Sequence, residues 1–182
     1  PGAWAIQTGS GELIVAVIDS GVQIDHPDLA DRLWRNPGEI PGNRLDDDGN
    51  GKVDDVYGWH FYHKYSDGSY EPAEDGDVTD RFGHGTHVTG ILAAAGNNGL
   101  GVAGLDWGAR VLTVKVLDEF GNGFYSDIVE GIEYAVDQGA RVINLSLGGE
   151  KSSEALLAAV MYAQARDVLV VAAAGNTAQP VL

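Results

Sequence analysis

Cysteine is absent from the 182 residues, which excludes disulfide staples, thiol catalysis and any zinc site built on thiolates. Basic side chains are scarce: 11 Lys and Arg stand against 27 Asp and Glu, for a formal charge of −16 and a pI near 4.4. A surface of that sign repels phosphate, so neither nucleic acid nor an anionic membrane is expected as a partner. No run reaches the ~18–20 apolar residues of a membrane span. The start, Pro1-Gly2-Ala3-Trp4, has no Met, basic stretch or apolar signal segment, and reads as a processed or trimmed end. What is present suits a packed core, with 44% hydrophobic residues, and the length suggests one domain over 1–182.

The acidity is concentrated. Residues 46–80 hold eleven acidic side chains (Asp46, Asp47, Asp48, Asp54, Asp55, Asp67, Glu71, Glu74, Asp75, Asp77, Asp80) against Lys52 and Lys64 alone. Such a segment reads as a long acidic loop inserted in the domain, because close like charges disfavour a strand or core helix. A cation among the carboxylates relieves the repulsion, and calcium is the expected one. Asp46, Asp48, Asn50 and Asp54 fall at positions 1, 3, 5 and 9 of an EF-hand-type loop. Gly51 takes position 6, the carbonyl of Lys52 position 7, and Asp54 or Asp55 stands in for the terminal Glu. The same Asp-Gly-Asn-Gly is also ordinary turn chemistry, so a solvated turn is the alternative.

Elsewhere apolar runs alternate with helical patterns. Strands are expected at 13–18, 110–117, 141–147 and 168–173, and helices at 85–95, 126–136 and 152–166. Ser126 or Asp127 is the expected cap of the second helix, and Ser152 or Ser153 of the third. That alternation implies an α/β fold with a parallel sheet covered by helices on both faces. Ligands of such sheets sit at the carboxyl ends of the strands. Asp19, Ser146 and Asn176 all fall there.

Asp19 lies in Val-Ile-Asp-Ser-Gly, His84 in Gly-His-Gly-Thr-His-Val-Thr-Gly, and Asn176 in Ala-Ala-Ala-Gly-Asn, with His26-Pro27-Asp28-Leu29 and Asn144-Leu145-Ser146-Leu147-Gly148-Gly149 between them. This ordered set resembles the subtilisin-like serine proteases, from Trp4 to Asn176. The resemblance implies a three-layer fold with a central parallel sheet flanked by helices. It also implies a serine endopeptidase in which His84 is the general base and Asp19 orients it. Asn176 would donate to the oxyanion. Ser146, Leu147 and Gly148 resemble one edge of a substrate cleft, and Gly121 and Gly123 the facing edge, with Tyr125 near a deeper pocket. Peptide or protein substrates would pair with both edges. Ala173-Ala174-Gly175 would form a small-residue pocket wall. Calcium and an extracellular or secreted setting follow from the same resemblance, as does a second calcium loop at Asp28, Asn98, Leu100 and Val102. Asp75, Asp77 and Asp80 would hold a third ion or none.

Singly, each residue has a plainer reading: Asp19 a strand-end cap, Asn176 a turn residue, His84 and His87 metal ligands at i, i+3. The last would make a metal-dependent hydrolase. The family's nucleophile belongs to a Gly-Thr-Ser-Met-Ala-like motif, and none of Ser10, Ser20, Ser66, Ser69, Ser126, Ser146, Ser152 and Ser153 has that context. The chain is therefore expected to be the N-terminal portion of a catalytic domain, inactive alone and partnered by the rest of that domain. A non-catalytic peptide-binding module is the alternative.

Overall fold

A computed structural model of the chain describes residues 2–149 and 151–176. Its centre is β1 (Ile14–Asp19), whose Ile-Val-Ala-Val-Ile run is buried on both faces, as an interior strand of a parallel sheet requires. Parallel neighbours flank it: β4 (Arg110–Lys115) on one side and β5 (Val142–Leu145) on the other. Two more strands extend the sheet through β4, β2 (Gly58–Ser66) and β3 (Ser69–Asp75), and β6 (Leu169–Ala172) closes the far side. The order is β3-β2-β4-β1-β5-β6.

The two-residue period of the strands divides the core. Ala16, Ile18, Leu112, Val114 and Ile143 face Ile128, Ile132 and Ala135 of α2 (Tyr125–Asp137) and Ala159 and Ala163 of α3 (Glu154–Ala165). Val15, Val17 and Val111 face Val22, Leu29, Leu33 and Ala93, the last residue of α1 (His84–Ala93). Helices thus cover both faces, as the alternating pattern implies.

Two expectations need correction. The acidic segment is not a continuous loop: β2 and β3 form an antiparallel hairpin over residues 58–75, paired from His60–Asp75 to Ser66–Ser69. Its turn, Asp67-Gly68, has φ of 49° and 90°, the doubly positive geometry of a tight hairpin. Most carboxylates lie outside the strands, and the buried Trp59 and Phe61 secure β2 to the core, so net charge misled where aromatic alternation governed. Helix α2 also begins one residue early, with Phe124 as its cap residue and no side-chain cap bond. Ser153 does cap α3, accepting from the Leu156 amide at 3.2 Å.

Candidate active site

Asp19 ends β1 with its carboxylate buried, and its Oδ1 accepts from the Ser20 amide at 2.7 Å. Its two oxygens lie 2.8 and 2.9 Å from Nδ1 of His84, the first residue of α1. Nδ1 therefore carries the proton, which leaves Nε2 as the acceptor on a ring about two-fifths exposed. The ring is placed by local chemistry. Gly83 precedes the helix at φ 97°, and Gly85 passes so close to β1 that a Cβ there would land on the Gly21 carbonyl oxygen.

Asp80 is the residue that the sequence reading missed here. Its oxygens accept from the amides of Phe82, Gly83 and Thr86 at 3.0, 2.8 and 2.9 Å, and from the hydroxyls of Thr86 and Ser20. Burial pushes its carboxyl up, but the Thr86 hydroxyl and the amides outweigh that and hold it below the usual carboxylate value. A carboxylate just ahead of a helix start was the available signal. The Ser20 hydroxyl in turn accepts from the Gly85 amide at 2.9 Å, joining the end of β1 to the start of α1.

An open groove of about 530 Å³ runs beside His84. Gly121 and Gly123 line it together with Ser146, Leu147 and Gly148, so the expected substrate residues converge with His84. Tyr125 and Ile128 lie between them, and Phe82 and Lys151 join the lining unanticipated. The Tyr125 hydroxyl donates to the Lys151 carbonyl at 2.9 Å. Asn176 follows β6 and is exposed. It is not among the residues that line the groove. Ala173, Ala174 and Gly175 are exposed and do not line the groove.

The acidic loop gathers only part of its expected ligand set. Carboxylate oxygens of Asp46 and Asp48 lie within 4.8 Å of one another and of Glu39, which the spacing argument did not include. The Gly51 amide draws the Asp46 carboxyl below its usual value, and the Gly49 and Asn50 amides add to this against the effect of burial. Asn50 turns its side-chain N–H to Asp48 and Asp55, and its oxygen accepts from the Lys52 amide at 2.8 Å. Asp54 is directed away, accepting from the amides of Gly42 and Arg44 at 2.7 and 2.9 Å. Asp55 is buried, and it reaches Asp48 only through the shared donors Asn36 and Asn50. The Lys52 ammonium pairs with Glu74 at 2.7 Å and sits over the rings of Trp59 and Phe61.

Asp28 and Asn98 do meet at 2.6 Å, and the Val102 amide donates to Asp28 at 3.1 Å. Asp75 contacts His60, and Asp77 pairs with Arg81, so with Asp80 committed to α1 these three do not converge. Among the described residues, His84 and His87 belong to no convergent set of metal-ligating side chains.

The chain is 44% identical over 178 residues to Thermitase of Thermoactinomyces vulgaris, covering 97% of this chain and 51% of that protein. It is 41% identical over 174 residues to the Thermophilic serine proteinase of Bacillus sp. (strain AK1), covering 96% of this chain and 35% of the relative. It is 38% identical over 177 residues to the Major intracellular serine protease of Bacillus subtilis (strain 168), covering 97% and 46%. The chain thus spans about half or less of the length of these relatives. A model of the subtilase family matches residues 10–181, which include the β1 carboxylate, the α1 imidazole and both margins of the groove. This chain belongs to the subtilase family.

Proposed function

We propose that these residues supply the base, its orienting carboxylate and the peptide-binding cleft of a calcium-stabilised serine endopeptidase. The observation that carries the reading is the buried Asp19 carboxylate holding Nδ1 of His84 with both oxygens, at the edge of a groove with two strand-end walls. A serine hydroxyl attacking a peptide carbonyl must lose its proton, and Nε2 is placed to take it. Asp19 then stabilises the imidazolium, and the Asn176 side-chain amide would donate to the oxygen that becomes negative. No serine of this chain has the nucleophile's motif, so the nucleophile would come from outside these residues, in the remaining part of the catalytic domain. Peptide or protein substrates would lie extended along Gly121–Gly123 and Ser146–Gly148.

In the protein expressed from its complete coding region, Asp19→Asn should lower kcat by about 10⁴-fold with KM little changed. Residues 1–182 alone should hydrolyse nothing. Peptide hydrolysis that withstands both D19N and a serine-directed fluorophosphonate would overturn the reading. Binding of extended peptides by a complete protein that never cleaves them would favour a peptide-binding module.

The all-oxygen donor set of Glu39, Asp46 and Asp48 fits a hard cation such as calcium. Bound there, calcium would neutralise the loop and favour the folded chain by mass action. Asp28 is less suited, because its two oxygens already accept from the Asn98 side-chain N–H and the Val102 amide. A half-exposed cluster of this kind suits the high calcium outside cells, and we place the protein there. No helix among the described residues is long and apolar enough to cross a membrane.

A further inference from the structure

A second imidazole–carboxylate pair lies behind the cleft wall, where the protease reading does not use it. Strand β2 pairs with β4 only through Gly58–His60, so from Phe61 onward it leaves the neighbouring strand and runs beside the 116–124 segment. There His63 stacks on Phe124 with ring centroids 4.1 Å apart and planes 27° apart. Its Nδ1 lies 2.9 Å from Oδ1 of Asp127, and the two side chains are only 11% and 2% exposed. Tyr70 of β3 adds a second aromatic contact to Phe124 at 5.5 Å.

We propose that His63 is a positioning residue for the Gly121–Gly123 substrate edge, acting through Phe124 and Asp127. The inference rests on the protease reading of the groove. Phe124 directly follows Gly123 and is the cap residue of α2, and Asp127 is three residues further along. A shift of the Phe124 ring therefore moves the end of the substrate edge. On its other side the edge has no slack, because a Cβ at Gly123 would land on the Val116 carbonyl oxygen. The edge is pinned between the exit of β4 and the Phe124 stack. The pair is buried and sparsely bonded: among the described residues neither His63 Nδ1 nor Asp127 Oδ2 has a hydrogen-bond partner, so truncating His63 leaves the carboxylate with still less around it. Burial pushes the Asp127 carboxyl up, and the neighbouring His63 ring is the largest influence opposing that. The hairpin thus holds the cleft wall from behind.

The test uses the protein from its complete coding region and two substrates: a peptide with four residues before the scissile bond, and a single-residue ester that does not reach the edge. His63→Ala should raise KM for the peptide about tenfold while kcat/KM for the ester holds. Pairing His63→Phe with Asp127→Asn keeps a ring on Phe124 and removes the stranded charge, and should bring the peptide KM back toward wild type. Equal losses on both substrates, no loss on either, or a double variant no better than H63A would overturn the positioning role. Wild-type protein that cleaves neither substrate would overturn the protease reading itself, and this inference with it.

Discussion

Replacing Tyr134 by Phe removes one oxygen and leaves a buried ring in place. That hydroxyl donates to Oδ2 of Asp55 at 2.7 Å, and Asp55 is wholly buried with two other side-chain donors among the described residues, Asn36 at 2.6 Å and Asn50 at 3.0 Å. The ring packs edge-on to Phe61 at 6.0 Å and should stay there. A hydrogen bond to a buried charged group contributes about 1.5–3 kcal/mol. For a domain of this size each kcal/mol moves Tm by about 2–4 °C, so Y134F should melt about 3–12 °C lower near neutral pH. The pH dependence gives a second, sharper check. Burial raises the Asp55 carboxyl above its ordinary value, and the Tyr134 hydroxyl is the largest influence against that rise. A carboxyl raised in the folded state favours folding when protonated, and that contribution is lost as pH climbs through the folded value. Losing Tyr134 raises the carboxyl further, so the penalty is greatest where Asp55 is ionised and shrinks on acidification. Melts of both proteins followed by circular dichroism at about pH 7 and about pH 4 read this directly. A gap below about 1 °C at neutral pH, or one that widens toward acid, would refute the reasoning.

Calcium should raise Tm, by an amount equivalent to about 2.7 kcal/mol at a hundredfold excess over Kd. Glu39→Gln, Asp46→Asn and Asp48→Asn should each shrink that rise, whereas Asp54→Asn should lower stability without calcium and leave the rise intact. Titration calorimetry separates the two groups, and an unchanged rise in the first three removes calcium from this loop. Gly85→Ala should destabilise by about 1–3 kcal/mol, because the added methyl meets the Gly21 backbone rather than a yielding side chain. It should also shift His84. Denaturant melts check the first effect, and a variant as stable as wild type would mean that α1 has room to move.

Much of the frame was legible along the chain. Residues 14–18 read as a doubly buried strand because their hydrophobicity is unbroken, and burial on both faces is the physical demand that such a run meets. A serine cap for α3 was legible as Ser152 or Ser153, and the structure uses Ser153; the same reasoning failed at α2, where Phe124 takes the cap position. The hairpin was not legible, because its decisive contacts are distant: Phe61 against Tyr134, and His63 against Phe124 and Asp127. Counting charge over residues 46–80 averaged away the alternation that places Trp59, Phe61 and His63 at every second position.

The candidate site divides along the same line. Motif resemblance singled out Asp19, His84, Asn176 and the two glycine-bearing margins as candidates, since motifs record chemical groups and not their surroundings. Only the tertiary structure decided which carboxylates share a space. It brought Glu39 to Asp46 and Asp48 and turned Asp54 toward the Gly42 and Arg44 amides. It sank Asp55 beneath Tyr134 and committed Asp80 to the start of α1. Spacing along a chain limits where a ligand can reach, but backbone amides compete for the same oxygens, and that competition is settled by how the loop closes in three dimensions.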